Sequence, residues 1–178
     1  MKLKSIATVL IAGTLAAVGI NSLIPKALAQ SPVQFICSQS FDRQTNRRVP
    51  TTFAWTPRGK IATIRWVKNL GGYSGQQRCK AVSPRFQEAY DNGTLNLITN
   101  DIRNRKPVIC SVREYGAPCQ TVLMTLRPED NSWKVLNELK EILSGHQVGP
   151  IRHSSGTPQV YYEVNVDEWL RNAPVEPE

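Results

Sequence analysis

Four cysteines spread along the sequence limit the folds that this chain can adopt. Cys37, Cys79, Cys110 and Cys119 are separated by 41, 30 and 8 intervening residues. The chain therefore has no CxxC pair and no zinc-ribbon spacing, which argues against a metal site and against a redox-active pair. Two structural disulfides are expected instead, and such bonds persist in oxidising compartments.

Four cysteines allow three pairings, and local patterns favour one of them. Residues 107–110 and 119–124 are typical of strands, and the Tyr-Gly-Ala-Pro segment at 115–118 is typical of a turn. We therefore expect Cys110 and Cys119 to face each other across a hairpin. That pairing leaves Cys37 to bond with Cys79.

The first 29 residues have the pattern of an export signal. Lys2 and Lys4 precede an apolar, uncharged run at residues 6–20, and Ala27-Leu28-Ala29 offers small residues for a signal peptidase. The run is shorter than the ~20 residues of a membrane span. We expect cleavage before Gln30 and a mature protein in the periplasm, the thylakoid lumen or the exterior.

Length and composition favour one globular domain in the mature chain. The sequence has 178 residues, of which 40% are hydrophobic and 20% are charged, so neither disorder nor a membrane bundle fits. We assign residues 1–29 to the signal peptide, 30–171 to a single α+β domain and 172–178 to an acidic tail that is expected to fray.

Alternating hydrophobic residues predict a mostly antiparallel sheet, because the connections between the segments are too short for crossover helices. In two of these segments, alternating positions are occupied by Phe53 and Trp55 and by Ile64 and Trp66, and these four residues are expected in the core. Strands are predicted near residues 33–38, 51–56, 60–68, 94–99, 106–113, 119–127 and 159–166.

One amphipathic helix is expected to pack on a face of this sheet. Within residues 131–144, the side chains of Val135, Leu136, Leu139, Ile142 and Leu143 fall in a single stripe. A shorter helix is predicted after Ser83-Pro84, which have the pattern of an N-cap and a first-turn proline, and a third after Asp167. The fold class is therefore α+β with two disulfides.

The charge is distributed unevenly. After position 29 the chain has 19 basic and 14 acidic residues, and the stretch from Arg43 to Gln87 has no acidic residue. We predict that its cations bind an anionic partner if they fold onto one side of the molecule. The candidate anion-binding residues are Arg43, Arg47, Arg48, Arg58, Lys60, Arg65, Lys68, Arg78, Lys80 and Arg85.

An anionic membrane surface or an acidic protein would match this stretch best. Nucleic acid is electrostatically compatible, with Trp55, Trp66 and Tyr73 as stacking residues, but export argues against it. The alternative is that these charges are only solvated.

No motif identifies a reaction or a cofactor site. His146 and His153 lie in a Gly- and Pro-rich segment, and the combination of Ser154, His153 and Glu163 lacks a GxSxG turn. A small hydrolase that uses the His153 loop is the alternative function, whereas no catalytic residue and no metal ligand is assigned. Asn92-Gly93-Thr94 matches a glycosylation sequon, although a helix-ending turn explains it equally well.

The order of several short motifs resembles the cyanobacterial circadian oscillating polypeptide family. The motifs are Phe35-x-Cys37, Ile64-x-Trp66, Arg78-Cys79, Val82-Ser83, Arg85-Phe86-Gln87, Leu97-Ile98-Thr99, Pro107-Val108-Ile109-Cys110 and Leu123-x-Thr125-Leu126. The resemblance covers roughly residues 35–143. It implies an exported protein with peripheral membrane association and no established catalytic activity.

Overall fold

Three consecutive strands form the first sheet of the computed structural model, which describes residues 33–144 and 159–177. β1 (Gln34–Asp42), β2 (Arg47–Thr56) and β3 (Gly59–Arg65) are antiparallel, with β2 in the centre. Two tight turns join them, as expected for antiparallel neighbours. The predicted signal peptide and the segment with His146, His153, Ser154 and Ser155 lie outside the described residues.

The second sheet has four antiparallel strands in the order β6-β5-β4-β7. Its strands are β4 (Leu97–Arg103), β5 (Lys106–Ser111), β6 (Thr121–Thr125) and β7 (Tyr161–Glu163). The α+β class is therefore confirmed, with the strands divided between two sheets. A strand was predicted over residues 159–166, but only the three residues of β7 pair with β4.

The longest helix among the described residues, α1 (Gly75–Asp91), begins eight residues before the predicted Ser83-Pro84 start. Ser74 is its N-cap, and the Ser74 and Gln77 side chains form a capping box with the backbone of the first turn. Pro84 lies inside the helix, where it lacks the N–H that would bond to the preceding turn. The predicted position of this helix start was wrong.

Two further helices complete the fold. α2 (Ser132–Ser144) packs on β4 and β5 through its predicted apolar stripe, with Leu136, Leu139 and Leu143 buried. α3 (Val166–Asn172) is capped by Asn165, whose side chain accepts a hydrogen bond from the Glu168 amide at 3.0 Å. The cap therefore lies two residues before the predicted Asp167.

The core lies where α1 meets the first sheet and the edge of the second. Phe35 of β1 contacts Phe86 of α1 at 5.7 Å between ring centroids and Trp169 of α3 at 6.5 Å. Burial of one such aromatic side chain stabilises a fold by roughly 1.5–3 kcal/mol. Most of the predicted core aromatic residues are buried, but Trp55 is 48% exposed, so its assignment to the core was wrong.

Both predicted disulfides are confirmed. Cys37–Cys79 joins β1 to α1, and Cys110–Cys119 joins the end of β5 to the segment before β6. Their Cα atoms are 5.5 and 5.4 Å apart, within the normal range. Two such bonds indicate an oxidising environment outside the cytosol.

The end of the chain is docked where a frayed tail was expected. The amide of Glu176 donates to the carbonyl of Lys60 at 2.8 Å, so residues 173–177 run beside β3. The Glu176 carboxylate also forms an ion pair with Arg65. No helix among the described residues has the length and hydrophobicity needed to cross a membrane.

Candidate functional site

A groove of about 1210 Å³ lies along the first sheet, and we call it the sheet groove. It extends from the β1–β2 turn to β3 and the docked residues 175–177. Half of the ten candidate cations line it. They are Arg43, Arg48, Arg58, Lys60 and Arg65.

The turn between β2 and β3 sets the position of Arg58. Thr56 Oγ1 accepts a hydrogen bond from the Arg58 amide at 3.1 Å and donates one to the Gly59 carbonyl at 3.1 Å. Gly59 has a φ of 128°, and a Cβ at that position would collide with the Val175 side chain. Only glycine fits this turn, because it combines an unusual φ with a close approach of another segment.

Arg58 is held in the groove by the end of α3. Its Nη1 donates to the Leu170 carbonyl at 2.9 Å, and its Nη2 donates to the Ala173 carbonyl at 3.2 Å. These oxygens are at the C-terminal end of the helix, where a cation is favoured. The guanidinium thus satisfies backbone acceptors and still keeps its charge.

Few of the groove cations are neutralised. Among the described residues, Arg65 is the only one of the five with a carboxylate at ion-pair distance, that of Glu176. The Lys60 ammonium lies 5.5 Å from the Trp55 ring centroid. Arg43 and Arg48 have no carboxylate at ion-pair distance within residues 33–144 and 159–177. The groove therefore has a net positive charge.

One other carboxylate, Asp42, lines the sheet groove, and local hydrogen bonds engage it. The Thr45 side chain and amide donate to Asp42 Oδ2, and the hydroxyl is the main cause that lowers the pKa of Asp42. The contact closes the β1–β2 turn. Asp42 therefore stays ionised at neutral pH and stabilises the turn on which Arg43 lies.

A second cationic depression of about 450 Å³ lies between α1 and β6, and we call it the helix cleft. Arg78 and Arg85 of the predicted set line it, together with Lys106 and Arg127. The Arg78 guanidinium lies 4.4 Å from the Trp66 ring centroid, and burial is the main cause that lowers the pKa of Arg78.

The remaining candidate cations lie elsewhere. Arg47 donates to the Val67 carbonyl at 2.8 Å, which ties the start of β2 to the chain after β3. Lys68 lines a third depression, of about 350 Å³, and Lys80 is exposed on α1. Seven of the ten cations thus line the two named surfaces, and Arg47, Lys68 and Lys80 lie outside both.

One cluster of potential metal ligands occurs among the described residues. Asp101, Cys110 and Cys119 place one ligand atom each within 4.8 Å of one another. Both sulfur atoms belong to the Cys110–Cys119 disulfide, however, and a disulfide sulfur is not the thiolate that binds metals. We therefore assign no metal to this cluster.

A comparison with known protein families matches residues 34–171 to the family described as circadian oscillating protein COP23. The chain belongs to the COP23 family. The match begins at β1 and ends within α3, so it extends beyond residue 143, where the sequence resemblance ended. It includes both disulfides and most of both cationic surfaces.

Two other comparisons, with curated proteins and with solved structures, found no match. Membership of the COP23 family fits a non-enzymatic protein. It does not by itself identify a ligand, so the arrangement of the side chains must support any functional proposal.

Sequence reasoning missed several residues of the COP23 fold that line the cationic surfaces. Lys106 and Arg127 flank the second sheet and lie outside the acid-free stretch, and Glu176 is in the acidic tail. The capping box at Ser74 and Gln77 was a local signal for the early start of α1. Nothing local to the sequence indicates that Lys106 lies near Arg85, because two different elements bring them together.

Proposed function

We propose that the chain is an exported, non-enzymatic protein that attaches peripherally to an anionic membrane surface through the sheet groove. The observation that supports this most is the set of five cations in one groove, of which a single one is ion-paired among the described residues. A basic residue near anionic head groups contributes about 1 kcal/mol. Four unpaired cations therefore give attachment that is sensitive to salt.

Two exposed aromatic residues in the same groove favour a membrane over an acidic protein. Trp55 is 48% exposed and Phe41 is 49% exposed, and both line the sheet groove. Aromatic side chains concentrate at the interface between head groups and acyl chains, where a ring can be partly buried. Cations beside such rings are typical of surfaces that lie on lipid.

Flotation with liposomes tests the proposal. The protein should float with vesicles that contain anionic lipid at low salt, and should stay at the bottom with neutral vesicles or at high salt. The variant Arg43→Glu/Arg48→Glu should weaken binding by at least about 30-fold, since two basic contacts contribute about 2 kcal/mol. The matched control is Lys80→Glu/Lys134→Glu, which makes the same charge change outside the groove.

Three outcomes would contradict attachment through the sheet groove. They are equal flotation with neutral vesicles, no flotation at all, and equal loss in the groove variant and its control. Absence of flotation combined with a salt-labile pulldown of an acidic protein would favour the alternative partner. The disulfides and the predicted signal peptide support the proposed location outside the cytosol, in the periplasm, the thylakoid lumen or the exterior.

The hydrolase alternative depends on His153, which lies outside the described residues, and no contact among the described residues favours it. Its test is simple. If an activity of the purified protein is unchanged in His153→Ala, that histidine does not catalyse it.

A further inference from the structure

The helix cleft is lined by cations but by no carboxylate among the described residues, and it shares no lining residue with the sheet groove. The cations are Arg78, Arg85, Lys106 and Arg127. Its volume of about 450 Å³ is within the range of small-molecule sites, about 300–1,000 Å³. Tyr73 stands at the edge of the cleft with 63% of its surface exposed.

Among the described residues, Arg127 is the only one of these four cations with a carboxylate at ion-pair distance, although the charge of Asp130 also acts on Arg78 from farther away. Arg127 is paired with Asp130 at 2.8 Å and with Glu129 at 3.2 Å. Within residues 33–144 and 159–177, no carboxylate lies at ion-pair distance from Arg78, Arg85 or Lys106. Converging cations of this kind attract an anion, because each one gains a favourable interaction when the anion enters.

Arg78 contributes most to this argument because it is half-buried. Its guanidinium is stacked on Trp66, and burial lowers its pKa, so the charged form has lost part of its hydration. A bound anion would restore favourable interactions to that guanidinium. Arginine also binds carboxylate and phosphate groups in a bidentate manner.

An apolar furrow of about 350 Å³ continues from the cleft. The two depressions share the lining residues Leu70, Arg78, Met124 and Leu126. Beyond them the furrow is lined mainly by apolar side chains of β3 and α2, including Ile142, which is 38% exposed although it belongs to the apolar stripe of α2. Four charged side chains also line it, namely Arg65, Lys68, Asp130 and Glu138. A ligand could therefore place a charged end in the cleft and an apolar end in the furrow.

We propose that the cleft and the furrow together bind a small amphiphile that has one anionic head group, a carboxylate or a phosphate, and an apolar chain. Arg78, Arg85 and Lys106 bind the head group. Leu70, Met124 and Ile142 contact the chain. This site does not use Arg43, Arg48, Arg58 or Lys60, so a failure of attachment through the sheet groove would not refute it.

Isothermal titration calorimetry on the full mature protein tests this site. The probes are hexanoate, octanoate, decanoate and decyl phosphate below their micelle concentrations, with decyltrimethylammonium and decyl maltoside as cationic and neutral controls. We expect one anionic probe per chain and no binding of the controls. Each added methylene should tighten binding about fourfold, the equivalent of ~0.8 kcal/mol per buried methylene.

Charge variants separate the cleft from general electrostatics. Arg85→Glu should weaken decanoate binding by at least tenfold, whereas Lys80→Glu, with the same charge change on the same helix, should leave it within twofold. Arg85→Gln serves as a second variant if the reversed charge impairs folding, which a thermal unfolding curve reveals. The site is refuted if no anionic probe binds, if decyl maltoside binds equally, if chain length has no effect, or if Arg85→Glu and Lys80→Glu behave alike.

Flotation of Arg85→Glu distinguishes the two sources of such an amphiphile. If the head group belongs to a lipid of the bilayer, the variant should lose anionic-vesicle binding together with decanoate binding. If the ligand is a free amphiphile, flotation should be unchanged while decanoate binding is lost.

Discussion

The Arg78 guanidinium lies over the Trp66 ring, 4.4 Å from its centroid. This contact joins α1 to the residue that follows β3, and the indole N–H of Trp66 continues the link by donating to Thr52 Oγ1 at 3.0 Å. A partly desolvated stack of this kind is worth about 1–2 kcal/mol. It therefore fixes the wall shared by the helix cleft and the apolar furrow.

Loss of the stack should lower stability. Arg78→Gln is expected to reduce the free energy of unfolding by about 1–2 kcal/mol, because it removes the cation and part of the packing. Urea unfolding followed by far-UV circular dichroism measures it. Lys80→Gln, two residues along the helix and exposed, is the control and should change stability by less than about 0.5 kcal/mol. Equal effects in the two variants would contradict the stack.

The two disulfides should differ in their contributions to stability. Cys37–Cys79 closes a loop with a sequence separation of 42, whereas Cys110–Cys119 closes one of 9. In the chain-entropy description the long bridge contributes about 4 kcal/mol and the short one about 2.6 kcal/mol. Urea unfolding of Cys37→Ala/Cys79→Ala and Cys110→Ala/Cys119→Ala measures both. A larger loss from the second double variant would reverse this ranking.

Docking of the chain end should depend on the two hydrogen bonds of Arg58. Arg58→Lys keeps the charge but cannot span both carbonyl oxygens, at Leu170 and Ala173, so it should cost about 1 kcal/mol. Amide hydrogen exchange at Glu176 should then become faster. Arg48→Lys, in the same groove and without such bonds to any described residue, is the matched control. Unchanged exchange in Arg58→Lys would show that other contacts hold residues 173–177.

Gly59→Ala should destabilise the turn between β2 and β3 more than Gly116→Ala destabilises its own turn. Both glycines have positive φ, 128° and 78°, but a Cβ on Gly59 would meet Val175, whereas nothing lies within 4 Å of one on Gly116. Backbone strain alone costs about 1–2 kcal/mol, and the collision adds to it at Gly59. Thermal unfolding of both variants gives the comparison. Equal losses would mean that Val175 moves aside freely.

Acid should weaken the fold through Asp130. Hydrogen bonds from Arg127 are the largest cause that lowers the pKa of Asp130. A carboxyl with a depressed folded pKa stabilises the protein above its unfolded pKa, near 4, and this contribution is lost as the pH falls through the lower folded value.

Arg127→Gln tests the sign of this dependence. The variant should be less stable than the parent at about pH 6, and the difference should shrink towards about pH 2, since protonated Asp130 no longer benefits from Arg127. Denaturant midpoints over this range measure it. Arg113→Gln is the control, because Arg113 donates to the Gln120 side chain and to no described carboxylate. A difference that stays constant with pH would exclude this linkage.

The fold class and the disulfide pairing followed from local patterns in the sequence. Alternation identifies a strand because one face is buried, and the turn before Cys119 brings it opposite Cys110. The predicted helix start at Ser83-Pro84 was wrong because a Ser-Pro pair can also lie inside a helix when other contacts stabilise that helix. Ser83 Oγ donates to the Cys79 carbonyl at 2.9 Å, and Cys79 is bonded to Cys37.

The site was less predictable than the fold. Arg43 and Arg48 lie near each other because one hairpin contains both, so a local charge map could identify them. Lys106 reaches the helix cleft only through the packing of the second sheet against α1. Trp55 was assigned to the core by alternation, but its ring lies in the sheet groove beside Lys60 and is 48% exposed, although Ala54 and Thr56 on either side of it are buried.

The Cys37–Cys79 bond makes the first sheet and the following loop a covalent ring. Gly71 and Gly72, in the exposed loop between these cysteines, offer a protease an accessible backbone. A cut there would leave two pieces that migrate as one species until a reductant is added. The protein can therefore survive a nick in this exposed loop without losing either half.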